Sequence, residues 1–474
     1  MGSKLITWRT LSAAFAVAGA AGALALPDEG LSGRAASVAF RPVADAYVTA
    51  SSPRRNFGKA RVLIVKTSPR TRSYLRFQVR GVGGTLNRAT LRVYVLDGNG
   101  TLKVAGVPSS RWGERSITFG NAPTPKRATA FARARRGAWS VLDVTALVPR
   151  NGLATLAIGA SRGSIRLASR EVRARSPRLV VDSSPDPVVA AAGNIACDPL
   201  SPSFNAGLGT ASECRQRSTS DLLVDKGLAG VLTLGDSQYA CGGYAAYLQA
   251  FDPTWGRVKS LIHPALGNHE YRPGPLAGTD CDPTGAPTGY FRYFGAAAGN
   301  PSTGYYSFDI GAWHLIALNT NCGQVGGCGA GSAQETWLRG DLTAHRNRCT
   351  LAYMHHPRFS SSYEQVRNVE IDPLWRALYS AGADVVLAGH DHVYERFAAQ
   401  DPNGRADAKG LREFVVGTGG FSHHPFFTVQ PNSQVRNNAT FGVLLLTLRQ
   451  AGYAWRFVPE AGGSFTDTGS GSCH

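Results

Sequence analysis

The chain has 474 residues, 43% of them hydrophobic and 17% charged. That balance buries a core and excludes a disordered, collagenous or coiled-coil protein, and the length calls for at least two domains. The formal net charge of +18 is localised: residues 37–182 hold 27 Lys+Arg and 6 Asp+Glu, a net +21, whereas residues 183–474 hold 20 and 24, a net −4.

Lys4 and Arg9 precede an apolar, alanine-rich run from Leu11 to Leu26, and Ala23-Leu24-Ala25 has the small residues of a cleavage site. Residues 1–25 therefore read as the signal peptide of a secreted, extracellular protein. The competing reading, a membrane anchor, needs roughly 20 apolar residues. After signal removal no transmembrane segment is expected. Arg outnumbers Lys by 42 to 8, which points to a bacterial gene of high GC content.

Residues 37–182 are a series of short alternating runs, among them Ala44–Val48, Val62–Val65, Tyr74–Val79, Ala89–Val95, Leu102–Val104, Ser140–Val144, Leu153–Ile158 and Leu179–Val181. Gly, Pro, Asn and Asp punctuate them, and an antiparallel β-sandwich or jelly roll follows. The arginines are either a solvated outer face or a face for a polyanion: an anionic cell-wall or uronate polysaccharide, a phosphorylated polymer, or nucleic acid. Clusters such as Arg54-Arg55, Arg133-Arg135-Arg136 and Arg170-Arg173-Arg175-Arg178 are denser than solubility requires. Nothing has the spacing of a helix-turn-helix, zinc finger or aromatic RNA-binding strand, so no sequence-specific nucleic-acid recognition is expected. The order Ala-Asp-Ala-Tyr-Val (44–48), Asn-Phe-Gly (56–58), Arg-Ser-Tyr-Leu-Arg-Phe (72–77) and Ala-Thr-Leu-Arg-Val-Tyr (89–94) resembles the secreted bacterial jelly-roll modules of the DNRLRE type. Those modules are similar to carbohydrate-binding modules. A Ser-Ser-Pro-Asp-Pro stretch, residues 183–187, reads as the linker to a second domain, residues 188–474.

From Val188 onward apolar strand runs alternate with helical stretches, such as Thr219–Lys226, Tyr244–Phe251 and Pro373–Ser380, the signature of βαβ units. All eight cysteines lie in this segment without a C-x-x-C pair. They read as disulfides, with Cys322 and Cys328 the favoured pair. Each strand ends in a polar, glycine-marked loop, where open α/β sheets place their ligands. The loops are Gly193-Asn194, Gly235-Asp236-Ser237-Gln238-Tyr239, Gly267-Asn268-His269-Glu270, Met354-His355-His356-Pro357 and Gly389-His390-Asp391-His392. Asp, Asn, Tyr and His at five strand ends supply enough oxygen and nitrogen ligands for two metal ions. A nucleotide-binding glycine loop and a G-x-S-x-G elbow are both absent. His423-His424 reads as an exposed loop pair.

This constellation resembles the calcineurin-like metallophosphoesterase superfamily, and the Tyr three residues after the Asp resembles its purple acid phosphatase branch. The resemblance implies an α/β domain of αββα sandwich type that cleaves phosphoric esters. It implies that Asp236 bridges two metals, that Asn194, Tyr239 and His392 bind the first, and that Asn268, His355 and His390 bind the second. His269 is then the catalytic proton donor, and His356 stands just behind the ligands. The implied cofactor is Fe paired with a divalent ion (Zn, Mn or Fe), and the substrates are phosphorylated small molecules or polymers. Phosphomonoester hydrolysis is the leading expectation. Alternatives are a phosphodiesterase or nucleotidase, or a weakened surface-binding protein, because Asn194 stands where the family carries Asp. Three readings attach to Asn194: two divalent ions held less tightly, substitution by Asp198, or lost chemistry.

Overall fold

The computed structural model describes residues 36–274, 279–345, 349–362 and 368–474; the expected signal peptide, residues 1–25, lies outside them. Eleven strands form the first domain: β1 (Ala36–Phe40), β2 (Ala44–Thr49), β3 (Val62–Lys66), β4 (Thr71–Val79), β5 (Thr85–Asp97), β6 (Gly100–Gly106), β7 (Ala130–Ala134), β8 (Trp139–Asp143), β9 (Gly152–Ala160), β10 (Ser164–Ala168) and β11 (Arg178–Ser184). In β5, Ala89, Leu91, Val93 and Val95 are buried while Arg88 and Arg92 are exposed. The two-residue period that makes the core thus also sets arginines on the outer surface. β5 pairs with β11 and β8 along most of its length and with β10 at its end, so one long strand joins both layers of the sandwich. Leu75, Phe77, Leu91, Leu142, Leu156 and Leu179 fill the space between them. The sequence reading omitted β1, β7 and β10.

The segment read as a linker is held at both ends. β11 continues through Ser184. Asp186 then accepts a hydrogen bond from Thr85 (3.1 Å) and faces Arg150 at 3.7 Å, and the Leu448 amide donates to the Pro187 carbonyl (2.8 Å).

The second domain follows with β12 (Val188–Ala192), β13 (Gly230–Leu234), β14 (Ile262–Ala265), β15 (Tyr306–Ile310), β16 (Trp313–Ala317), β17 (Cys349–Met354), β18 (Val385–Ala388), β19 (Tyr394–Phe397), β20 (Arg412–Val416), β21 (Ser433–Asn437), β22 (Gly442–Arg449), β23 (Gly452–Pro459) and β24 (Thr468–Ser472). They make two sheets, ordered β14-β13-β12-β22-β23-β24 and β15-β16-β17-β18-β20-β19-β21. Leu232, Leu315, Leu351, Val385, Phe414 and Leu446 belong to the core shared by both sheets. Two helices cover the other face of the second sheet. Ala333–Ala344 is capped by Ser332, whose hydroxyl accepts the Glu335 amide, and Asp372–Ser380 carries Pro373 in its first turn. Leu338, Trp375 and Leu378 pack on Ile316, Ala352 and Val386. The helices expected at Thr219–Lys226 and Tyr244–Phe251 are shorter: Gln216–Ser220, and a single turn at Tyr244–Ala246 that widens into a π turn.

Four disulfides pair all eight cysteines, Cys197–Cys214, Cys241–Cys281, Cys322–Cys328 and Cys349–Cys473. The expected Cys322–Cys328 pair is among them.

Two buried carboxyl groups make stability depend on pH. Burial pushes Asp45, in the first domain, up to about 7. It pushes Glu413, in β20, up to about 8. Glu413 accepts the Arg358 and Phe359 amides. Both groups hold their proton more tightly folded than unfolded, so their stabilisation is complete below about pH 4 and is lost as pH rises through 7 and 8. Thermal unfolding midpoints are expected to fall across that window, and to fall less in Asp45→Asn/Glu413→Gln. Parallel pH profiles for the two proteins would refute the assignment.

Candidate metal centre

The loops after β12, β13, β14, β17 and β18 bring Asn194, Asp236, Tyr239, Asn268, His355, His390 and His392 together. Local backbone chemistry holds the loops at this approach. The Asn194 amide donates to the Gly235 carbonyl (3.2 Å), Ile195 to Asp236 (3.0 Å) and Gly389 to His355 (2.9 Å). Asn194, Asp236 and His390 all adopt left-handed backbone, with φ of 57°, 49° and 65°. Non-glycine residues are rare there, and such strain concentrates at functional sites. Gly267 is required by crowding, since a Cβ on it would lie 2.1 Å from Asp236 Oδ1.

One group of donor atoms surrounds His355. Its Nδ1 lies 2.7 Å from the Leu234 carbonyl and donates to it, which turns Nε2 inward. Nε2 is 2.9 Å from Asn268 Oδ1, 3.2 Å from His390 Nδ1 and 3.3 Å from Asp236 Oδ2. His390 Nδ1 lies 3.1 Å from Asn268 Oδ1. Ligand atoms about 2.0–2.2 Å from a common cation stand roughly 3 Å from one another, so the set fits one ion. Charge follows the same logic: burial opposes ionisation of Asp236, but His355 beside it holds the carboxyl well below its usual range. Burial and His355 push His390 down to about 3, which leaves its ring neutral.

The second group shares Asp236 Oδ2. The Tyr239 hydroxyl is 3.0 Å from that oxygen and 3.2 Å from His392 Nε2, while His392 Nδ1 lies 2.8 Å from the Ser422 hydroxyl. Burial, then Asp236, raises Tyr239 well above the usual phenol range. Asn194 turns its amide nitrogen to the Tyr239 hydroxyl (2.8 Å) and Asp236 Oδ2 (3.4 Å). Its Oδ1 is buried with no hydrogen-bond partner among the described residues. Turning that amide over brings the orphaned oxygen to the other donors, so this group also fits a cation, with one negative charge fewer than a carboxylate would provide. Asp198 does not replace Asn194: its carboxylate accepts the Leu200 (2.8 Å) and Ala240 (3.3 Å) amides.

His269 stands at the accessible side, half-buried beside the exposed Asn268. Its Nδ1 is 2.7 Å from the Ala240 carbonyl and its ring centroid 4.3 Å from that of Tyr239, so Nε2 is the nitrogen left to exchange a proton. His356 is half-buried, with its ring 4.4 Å from that of His390 and its Nδ1 2.9 Å from the Thr320 hydroxyl. His355, His356 and His390 together form a cluster able to hold a metal.

Several further residues stand near the centre, and Glu270 and Phe421 carried no role in the sequence reading. Glu270 is fully enclosed and accepts the amides of Gly267 (2.7 Å), Ser237 (2.8 Å) and Asp236 (3.0 Å), tying the loop after β14 to the loop after β13. Its place in the Gly-Asn-His-Glu run was the available signal. Phe421 stacks on Tyr239 at 3.5 Å. His424 stacks on His392 at 3.8 Å, so the pair His423-His424 packs against the centre and is not an exposed loop pair. Tyr394 and Arg396, read from the sequence as orienting the loop, both bond Asp467.

Residues 36–183 match carbohydrate-binding module family 96, and residues 219–394 match the calcineurin-like phosphoesterase family. Among curated proteins, the chain is similar to probable purple acid phosphatase 20 of Arabidopsis thaliana, 29% identical over 172 residues that cover 33% of this chain and 39% of that protein. Purple acid phosphatase 15 of the same plant is 34% identical over 128 residues, 26% of this chain and 23% of that protein. The chain thus spans less than half the length of these relatives. Among solved structures, purple acid phosphatase PPD1 from yellow lupin (Lupinus luteus) seeds aligns with 87% of this chain and 73% of its own, at a TM-score of 0.48 and 15% identity.

Proposed function

We propose, from a chain that joins a carbohydrate-binding module of family 96 to a calcineurin-like phosphoesterase domain of purple acid phosphatase type, that it is a secreted two-metal phosphoesterase acting on phosphomonoesters. The observation that carries the reading is the pair of donor groups sharing Asp236 Oδ2. The family implies a dinuclear centre. Asp236, Tyr239, His392 and a turned-over Asn194 would hold one ion, taken as iron, and Asp236, Asn268, His355 and His390 the other, a divalent Zn, Mn or Fe. Such ions supply Lewis acidity toward a phosphate oxygen and an acidified water.

The protein's own groups do the rest. Asp236 sets the spacing of the two halves because one of its oxygens serves both. Leu234 and Ser422 fix the ring orientations of His355 and His392. His269, locked through Nδ1 to Ala240, delivers a proton from Nε2 to the departing alkoxide. Four disulfides suit an oxidising, extracellular compartment. Asn194 favours reduced turnover over the full rate of a site with a carboxylate there.

Metal content of protein purified without chelator, with turnover of p-nitrophenyl phosphate and bis-p-nitrophenyl phosphate, tests the proposal. Two ions per chain, a faster monoester reaction and its loss on chelation are expected. Metal-free protein, or a faster diester reaction, would overturn it.

A further inference from the structure

The loop after β16 brings a residue to the centre that the five ligand-bearing loops do not supply. β16 lies parallel to β17 in the second sheet, so its end stands next to the loop that carries His355 and His356. From there the buried Thr320 hydroxyl meets His356 twice. Its oxygen accepts the His356 amide at 3.0 Å and lies 2.9 Å from His356 Nδ1. Among the described residues that hydroxyl makes no other hydrogen bond. A buried hydroxyl proton needs an acceptor, so it is donated to Nδ1, and the imidazole carries its own proton on Nε2. His356 Nε2 has no hydrogen-bond partner among the described residues and reaches solvent.

His269 is held in the opposite way. The Ala240 carbonyl can only accept, so His269 Nδ1 donates to it and Nε2 presents a lone pair. The two half-buried rings also stand at different halves of the centre: His269 beside Tyr239, with centroids 4.3 Å apart, and His356 beside His390, at 4.4 Å. A protonated Nε2 has no lone pair to give a cation, so His356 is a hydrogen-bond donor at the mouth of the site and not a further ligand. We propose that His356 is a substrate-binding residue whose Nε2–H donates to a terminal phosphate oxygen, and that Thr320 is the positioning residue that fixes that proton. The proposal rests on the phosphoesterase reading and adds a source of selectivity to it. A phosphomonoester has three terminal oxygens. With one facing each half of the centre, the third is left for His356. A diester has only two, and the ester oxygen in the third place is uncharged and a weaker acceptor. The donor at His356 therefore favours monoesters.

Four variants of the full chain test this: His356→Ala, His356→Gln, Thr320→Val and Thr320→Ser. The readouts are metal content, competitive inhibition by inorganic phosphate, and kcat/KM for p-nitrophenyl phosphate and bis-p-nitrophenyl phosphate. His356→Ala is expected to keep the parent's metal content and to weaken inhibition by phosphate at least about tenfold, with a similar drop in the monoester-to-diester ratio of kcat/KM. His356→Gln should recover most of that loss, because a carboxamide NH2 can donate from about the position of Nε2. Thr320→Val should lower the ester ratio by about two- to fivefold, and Thr320→Ser, which keeps the hydroxyl, should restore it. Loss of metal in both His356 variants would make His356 a ligand and overturn the proposal. An unchanged ester ratio or unchanged phosphate inhibition in His356→Ala would overturn it too, and a Thr320→Ser variant as impaired as Thr320→Val would overturn the role of Thr320. A parent protein that holds no metal or cleaves neither ester would overturn the phosphoesterase reading and this proposal with it, whereas an active parent matched by His356→Ala overturns the assignment of His356 alone.

Discussion

Glu270→Ala is expected to destabilise the second domain by about 4 kcal/mol or more and to strip it of metal. The carboxylate accepts the amides of Gly267, Ser237 and Asp236 and the Tyr247 hydroxyl (3.2 Å), with Gln238 at 3.4 Å. All of these donors are buried, and each left without an acceptor costs roughly 1–3 kcal/mol. Partial relaxation keeps the total below the sum, yet a loss of this size still belongs to the exceptional class of point mutations. Asp236 should suffer most, because its own backbone amide is one of the donors. Glu270→Gln preserves volume but turns an NH2 group toward N–H donors, so it should retain more stability and still release metal. Thermal unfolding and metal content of the two variants measure this. Unchanged metal content in both would show that Glu270 does not position the centre.

Asn194→Asp is expected to act in opposite directions with and without metal. Without metal, the new carboxylate would stand about where the amide now lies, 3.4 Å from Asp236 Oδ2, and it could no longer donate to that oxygen. Two buried carboxylates at that separation repel, so the metal-free variant should unfold at a lower temperature than the parent. With metal, the same charge opposes a cation, so retention against chelator should rise at least about tenfold, equivalent to roughly 1.4 kcal/mol. Phosphomonoester turnover should rise with it. Unfolding midpoints of the metal-free and metal-loaded forms, together with metal retained after chelator titration, provide the readout. Equal retention in parent and variant would remove Asn194 from the ligand set.

Much of the fold was legible because its elements follow simple periods. The alternation of Ala89, Leu91, Val93 and Val95 marks β5, and the unbroken apolar runs at Val188–Ala192 and Val385–Ala388 mark buried parallel strands. β7 escaped notice because Ala130–Ala134 is built largely of alanine, and β1 because its place is decided by pairing with β11, far away in sequence. The short helices at Gln216–Ser220 and Tyr244–Ala246 show the same limit, since apolar spacing indicates a face but not how far the backbone stays helical.

At the candidate centre, the sequence by itself determined which residue types stand at the ends of which strands, because a strand followed by a glycine-marked loop is a local pattern. It also determined that Asn194 brings an amide where a carboxylate is expected. Tertiary structure decided how those groups meet: that Asp236 Oδ2 is shared, that Leu234 and Ser422 orient two histidines, that Phe421 and His424 stack behind the ligands, and that Asp198 is engaged elsewhere. It likewise set Thr320, from the loop after β16, against His356. The reason is physical in each case. Lone pairs and charges act over a few ångströms in space, and only the packing of sheets and loops brings residues scores of positions apart within that range.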